Sequence, residues 1–148
     1  MLLSKDLKEF IALFHSNGVE YTIVGAYALA FHGRPRFTGD LDVLINPSIE
    51  NGIRVERALR DFGFASTGLS AADFTVAGQI IQLGRAPNRI DIPTGITGVE
   101  FQEVWNARVP GELAGIPVHF ISRELFIRNK KATGRLKDRA DLEELGEA

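Results

Sequence analysis

The chain has 148 residues, is 45% hydrophobic and 24% charged, and carries a formal net charge of −2 with no cysteine. It is long enough to bury one real core, and the expectation is a single domain over residues 1–148. The charge balance excludes a global field for nucleic acid or an anionic membrane, the lack of cysteine excludes disulfides and thiolate metal sites and fits a cytoplasmic protein, and no apolar run approaches the ~20 residues of a membrane span. The first ten residues, MLLSKDLKEF, bring in charge early and contain no signal-peptide core.

In chain order, Ser4 caps a helix that runs to about Ser16, with Leu7, Phe10, Ile11 and Phe14 on one stripe. Asn17-Gly18 ends it. Tyr21 to Val24 reads as a buried strand, and Gly25 turns the chain into a helix from Ala26 to about His32. Gly33 and Pro35 stop that helix, and Asp40 to Ile45 is the second strand. Ser48 caps a third helix to about Asp61, closed by Gly63. Phe74 to Ala77 and Gln79 to Leu83 suit a hairpin turning near Gly78. Arg89 to Ile92 alternates cleanly, with Ile90 and Ile92 on one face and Arg89 and Asp91 on the other. A helix from Gly98 to about Ala107 follows, then a hairpin of Val109–Leu113 and Ile116–Ile121. Ser122 caps a helix to about Thr133, Gly134 breaks it, and Leu136 to Leu145 forms the last helix. Helices and strands without regular alternation argue for an α+β fold with a mixed sheet.

Chemistry concentrates in the stretch from Ile23 to Ile45. Asp40 and Asp42 lie at i and i+2 of a strand, so they share a face, opposite the apolar row of Leu41, Val43 and Ile45. Neighbouring acids on a strand call for a counter-charge, and a hard divalent cation suits them. Asp91 has the same setting and is the third candidate. Three such carboxylates can hold two metal ions, with one acid taking a proton from an attacking hydroxyl. The bland reading of a lone Asp-x-Asp is a pair of solvated strand-end acids. Gly25-Ala26 stands where a strand enters a helix, a place that suits an anion; it is equally a plain tight turn. Arg34 and Arg36 lie just before the acids and suit phosphate oxygens; the plainer reading is a solvated loop with Arg36 paired to one of the aspartates. Thr38 is placed to orient the loop or an acid. Arg128, Lys130, Lys131, Arg135, Lys137 and Arg139 crowd one stretch, which by itself describes a solvated basic face. Asp138 and Asp141 share a helix face and are expected to pair with Arg135 and Lys137. His32 is a lesser candidate for the site, and Trp105 and the phenylalanines read as core.

Gly25-Ala26, thirteen residues, and then Asp40-Leu41-Asp42-Val43 resemble the signature of the nucleotidyltransferase fold shared with DNA polymerase beta, with Asp91 in Arg-Ile-Asp-Ile as its third acid. The wider run VGAYALAFHGRPRFTGDLDVLI is similar to small bacterial nucleotidyltransferase-like proteins related to abortive-infection toxins. The stretch from Lys130 to Asp138, followed by Asp141-Leu142, supports the match. The resemblance implies a minimal nucleotidyltransferase fold and transfer of a nucleoside monophosphate from a nucleoside triphosphate to an acceptor hydroxyl on a protein, a tRNA or a small molecule. It implies two Mg²⁺ ions, or Mn²⁺, on Asp40, Asp42 and Asp91. The triphosphate would lie against Gly25, Ala26, Arg34, Arg36, Thr38 and Lys130, with Lys131 the alternative to Lys130. A homodimer or an antitoxin partner would complete so small a site. Ala26 departs from the glycine or serine usual there, and this favours the alternative of a non-catalytic binding protein on the same fold. A toxin–antitoxin component acting on tRNA is the third reading.

Overall fold

The computed structural model describes residues 4–33, 40–64, 67–85 and 88–147. Its elements in order are α1 (Lys5–Ser16), β1 (Tyr21–Val24), α2 (Gly25–His32), β2 (Leu41–Ile45), α3 (Ile49–Phe62), a 3-10 turn (Ala71–Phe74), β3 (Ile80–Leu83) and β4 (Ile90–Pro93). Then come α4 (Phe101–Asn106), β5 (Val109–Leu113), β6 (Ile116–Phe120), α5 (Arg123–Thr133) and α6 (Leu136–Glu144). The expected helix starts follow from side-chain chemistry. The hydroxyls of Ser4, Ser48 and Ser122 accept from the amides of Leu7, Asn51 and Leu125, each at 3.2 Å. Gly63 and Gly134 end α3 and α5 in the left-handed conformation that glycine adopts without strain.

One mixed sheet runs in the order β3-β4-β2-β1-β6-β5. β1 pairs parallel with β6 and β2 parallel with β4, while β1–β2, β3–β4 and β5–β6 are antiparallel. The central strands are buried along both faces, so Leu44 is as enclosed as Val43. The apolar stripe of α1 is buried whole, and α1 packs on α3 and β6. α2 is short and apolar, with Tyr27 to Ala30 all buried and Phe31 exposed.

At the far end of β1 the buried amide of Asn51 joins three segments. Its oxygen accepts from the Glu20 amide at 2.7 Å, and its nitrogen donates to the carbonyls of Glu20 at 3.1 Å and Asn46 at 2.9 Å. All its groups are thereby satisfied within the core.

The expected strand from Phe74 to Ala77 does not form. Ser70 and Asp73 make a capping box that starts a 3-10 turn. Phe74 drops fully into the core, and the Thr94 hydroxyl donates to the Val76 carbonyl at 2.6 Å. β3 therefore pairs with β4 rather than with the segment before it. The fourth helix is also shorter than expected, beginning at Phe101 behind the Glu100–Glu103 capping box.

Candidate active site

Three strand ends converge at one side of the sheet. Val24 is the register partner of Asp42, and Asp42 that of Asp91, so the two carboxylates leave neighbouring parallel strands on the same face. Asp40 sits one residue before β2. Gly25 opens α2 with φ +67°, and a β-carbon there would lie 2.2 Å from Asp42 Oδ2. Only glycine allows both the turn and this approach. The glycine expected to make room for a phosphate thus makes room first for a carboxylate.

The acids are short of positive charge. Burial, then the negative charges of Asp91 and Asp40, push the Asp42 carboxyl up to about 7, against the pull of Lys137 and Lys130. No hydrogen bond or ion pair reaches Asp42 among the described residues. Asp91 is 8% exposed, and its Oδ1 is buried without a partner. One residue that sequence reasoning left without a role, Arg89, stands between the other two acids: its Nη2 lies 3.0 Å from both Asp40 Oδ2 and Asp91 Oδ2. The available signal was the i, i+2 spacing, which puts Arg89 on the same face as Asp91.

The opposite wall is α5 and α6. Lys130 is 8% exposed, with Nζ 3.3 Å from Asp141 Oδ2 and 3.5 Å from Asp138 Oδ1. Asp138 is fully enclosed. It accepts from Arg135 N, Nε and Nη2 and from Thr133 Oγ1, and chiefly the Arg135 guanidinium holds its carboxyl well below the usual range. Asn129 and Arg128 donate to the carbonyls of Thr97 and Gly98, fixing α5 to the loop after β4. Between the walls lies a cleft of about 950 Å³, lined among others by Gly25, Ala26, Asp40, Asp42, Lys130 and Lys137.

The structure thus brings Gly25, Ala26, Asp40, Asp42 and Lys130 to one cleft, with Asp91 beside Asp42. Lys131, the alternative to Lys130, is exposed. Arg34, Arg36 and Thr38 lie outside the described residues. Several lesser expectations are corrected. Asp138 pairs with Lys130 as well as Arg135, Asp141 pairs with Lys130, and Lys137 lines the cleft. His32 is structural, with Nε2 2.6 Å from the Ile121 carbonyl oxygen. The basic run is not one solvated face, since Lys130 is buried and Arg128 pairs with Glu103 on α4. Trp105 is half-buried under the Arg108 guanidinium, 3.7 Å from the ring centroid, and Phe31 is 40% exposed while stacked on Phe120.

The donor set fits a hard divalent cation. It consists of oxygens only, burial and then the neighbouring acids raise the Asp42 carboxyl, and Asp91 has an orphaned buried oxygen. Among the described residues, no three acidic or imidazole side chains already stand as a ready ligand set; Arg89 holds one oxygen each of Asp40 and Asp91.

No family model matches the chain, and no curated protein matches it. Among solved structures it is similar to one from Thermotoga maritima titled a "putative nucleotidyltransferase", at 15% sequence identity and a TM-score of 0.59, over 93% of this chain and 88% of that one. The fold is therefore an α+β, nucleotidyltransferase-like fold with a six-stranded mixed sheet. No helix among the described residues is long and apolar enough to cross a membrane.

Proposed function

We propose that the chain is a Mg²⁺-dependent nucleotidyltransferase, Mn²⁺ serving as well, that moves a nucleoside monophosphate from a nucleoside triphosphate to an acceptor hydroxyl. The observation that carries this reading is the register of Asp42 with Asp91 on parallel strands, with Asp40 alongside, at the point where Gly25 opens α2. Asp40 and Asp42 would hold two ions and Asp91 one of them. When bound, such ions supply charge neutralisation and polarise phosphoryl oxygens. The α2 amides at Gly25 and Ala26 offer hydrogen bonds to phosphate. Lys130, kept in place by Asp138 and Asp141, adds a fixed positive charge on the far wall. Arg34, Arg36 and Thr38, outside the described residues, are the further candidates to meet the triphosphate. In the reaction the acceptor oxygen bonds to the α-phosphorus, the bond from that phosphorus to the bridging oxygen breaks, and pyrophosphate leaves. The hydroxyl proton passes to Asp91. The acceptor is a protein side chain, a tRNA end or a small molecule, with a second copy or an antitoxin partner completing its site.

Incubation with α-labelled ATP, GTP, CTP and UTP in Mg²⁺ tests this. Label transfer is expected from wild type, and Asp42→Asn should lose about a hundredfold or more. Ala26, and the engagement of two acids by Arg89, favour a second reading, a binding protein without chemistry. If no nucleotide binds by calorimetry and Asp42→Asn changes nothing, that second reading replaces the first. Growth arrest on expression, relieved by Asp40→Ala, is the result expected of a toxin component; harmless expression argues against it.

A further inference from the structure

We infer that Arg89 is the site's resident counter-cation, and that a divalent metal enters by displacing its guanidinium from Asp40 and Asp91. This rests on the reading of those acids as metal ligands. A single nitrogen, Nη2, spans Asp40 Oδ2 and Asp91 Oδ2 at 3.0 Å each. These oxygens belong to two of the proposed ligands. A metal ion drawing on these oxygens at about 2.0–2.1 Å would stand within a few ångströms of the guanidinium, and the two cations repel. Arg89 and metal therefore compete for Asp40 Oδ2 and Asp91 Oδ2.

The pairing is built to be given up. It lacks the two-nitrogen fork that makes an arginine–carboxylate pair strong. Arg89 Nε is buried without a partner, and Asp91 Oδ1, beside the engaged oxygen, is also unpartnered. The Arg89 side chain is 38% exposed, so it has a route outward. By contrast, the Arg135–Asp138 pair near the same cleft uses Nε, Nη2 and the backbone amide together. Arg89 thus offsets the charge of Asp40 and Asp91 without satisfying them. Its release costs free energy, which weakens metal binding in isolation. A triphosphate arriving with the metal gives the freed guanidinium a new anion to meet. Metal and nucleotide then load together, each improving the other's affinity.

Mn²⁺ titration followed by electron paramagnetic resonance, with and without a non-hydrolysable ATP analogue, tests this on the full chain. Arg89→Gln should bind Mn²⁺ alone about tenfold tighter than wild type, and should gain less than wild type from the analogue. Arg89→Lys, which keeps a charge, should fall between them. In wild type itself, the Arg89 Nε–H resonance should shift as Mg²⁺ saturates the site, and this measurement decides the matter if glutamine at position 89 impairs folding. The inference is overturned if well-folded Arg89→Gln binds Mn²⁺ no tighter than wild type, or if that resonance stays fixed while the Asp40 and Asp42 amides move. If Asp42→Asn abolishes Mn²⁺ binding but Arg89→Gln leaves it unchanged, only the displacement idea fails. If neither wild type nor Arg89→Gln binds the metal, the metal-site reading fails with it.

Discussion

Asp42 and Asp138 stand on opposite sides of one cleft and live in opposite chemical conditions. Asp138 is wholly enclosed, yet it is met by the Arg135 side chain and amide, the Thr133 hydroxyl and the Lys130 ammonium. Asp42 is only half-buried, yet no donor reaches it among the described residues, and two other acids crowd it. Burial alone would predict the reverse order of discomfort. What separates them is satisfaction. A carboxylate whose lone pairs are all taken serves the fold, and one whose lone pairs are left open is fit to receive a cation.

The sharpest way to break this contrast is to remove the satisfied acid. Asp138→Ala removes the acceptor shared by Arg135, Thr133 and Lys130, leaves Lys130 with Asp141 alone, and should cost about 2–3 kcal/mol in urea unfolding. A loss near zero would mean the network is ornamental. Next comes the starved acid. In chelator, Asp42→Asn should stabilise the protein at pH 8, by up to about 4 kcal/mol at 1.36 kcal/mol per pKa unit, and by less to the extent that water reaches the carboxylate. At pH 4 it should change little. The sign follows from linkage: with its pKa raised to about 7, native Asp42 keeps a proton that the unfolded chain loses near 4. Stability therefore falls as pH rises from about 4 to 7. Asp138 runs the other way. Its depressed pKa gives stability that is present above the ordinary carboxylate range and lost as pH falls through the lowered value. Unfolding curves across pH for wild type and the two variants should separate the two slopes. A smaller effect is expected of Gly25→Ala, about 1–2 kcal/mol from the left-handed backbone, with weakened Mn²⁺ binding because the new methyl collides with Asp42 Oδ2. Smallest is Ser122→Ala, about 1 kcal/mol for a lost helix cap, with metal affinity unchanged.

How legible each region was in the sequence follows the same divide between local and distant causes. Ser4, Ser48 and Ser122 marked their helices because a cap acts within three residues. Asp40 and Asp42 shared a face by strand period alone. Placing Asp91 beside Asp42 required strand order, which the resemblance provided and the register now gives. The segment at Phe74 suits a hairpin strand because it meets Gln79–Leu83 across Gly78; the opposing signal, Ser70 with Asp73 three residues on, is local. Lys130 looked like part of a solvated basic run because its partners, eight and eleven residues on, lie across a turn between two helices. Arg89 was visible as a residue and invisible as a participant, since its second partner, Asp40, is distant in sequence.

The Asn51 junction has a consequence for the chemical ageing of the chain. Asn51 precedes Gly52, and an asparagine before glycine is the pair in which the next amide nitrogen most readily attacks the side-chain carbonyl and releases ammonia. Here the side chain is held at both ends, and the Gly52 amide donates within α3 to Ser48 O at 2.9 Å. The native chain is thereby protected from deamidation at this bond, and an unfolded one is not. Conversion leaves a carboxylate facing the carbonyls of Glu20 and Asn46, where an amide nitrogen had donated. Each excursion from the fold therefore exposes the molecule to damage that impedes its return, and the joint at the far end of β1 acts as a slow clock of how long the chain has spent unfolded.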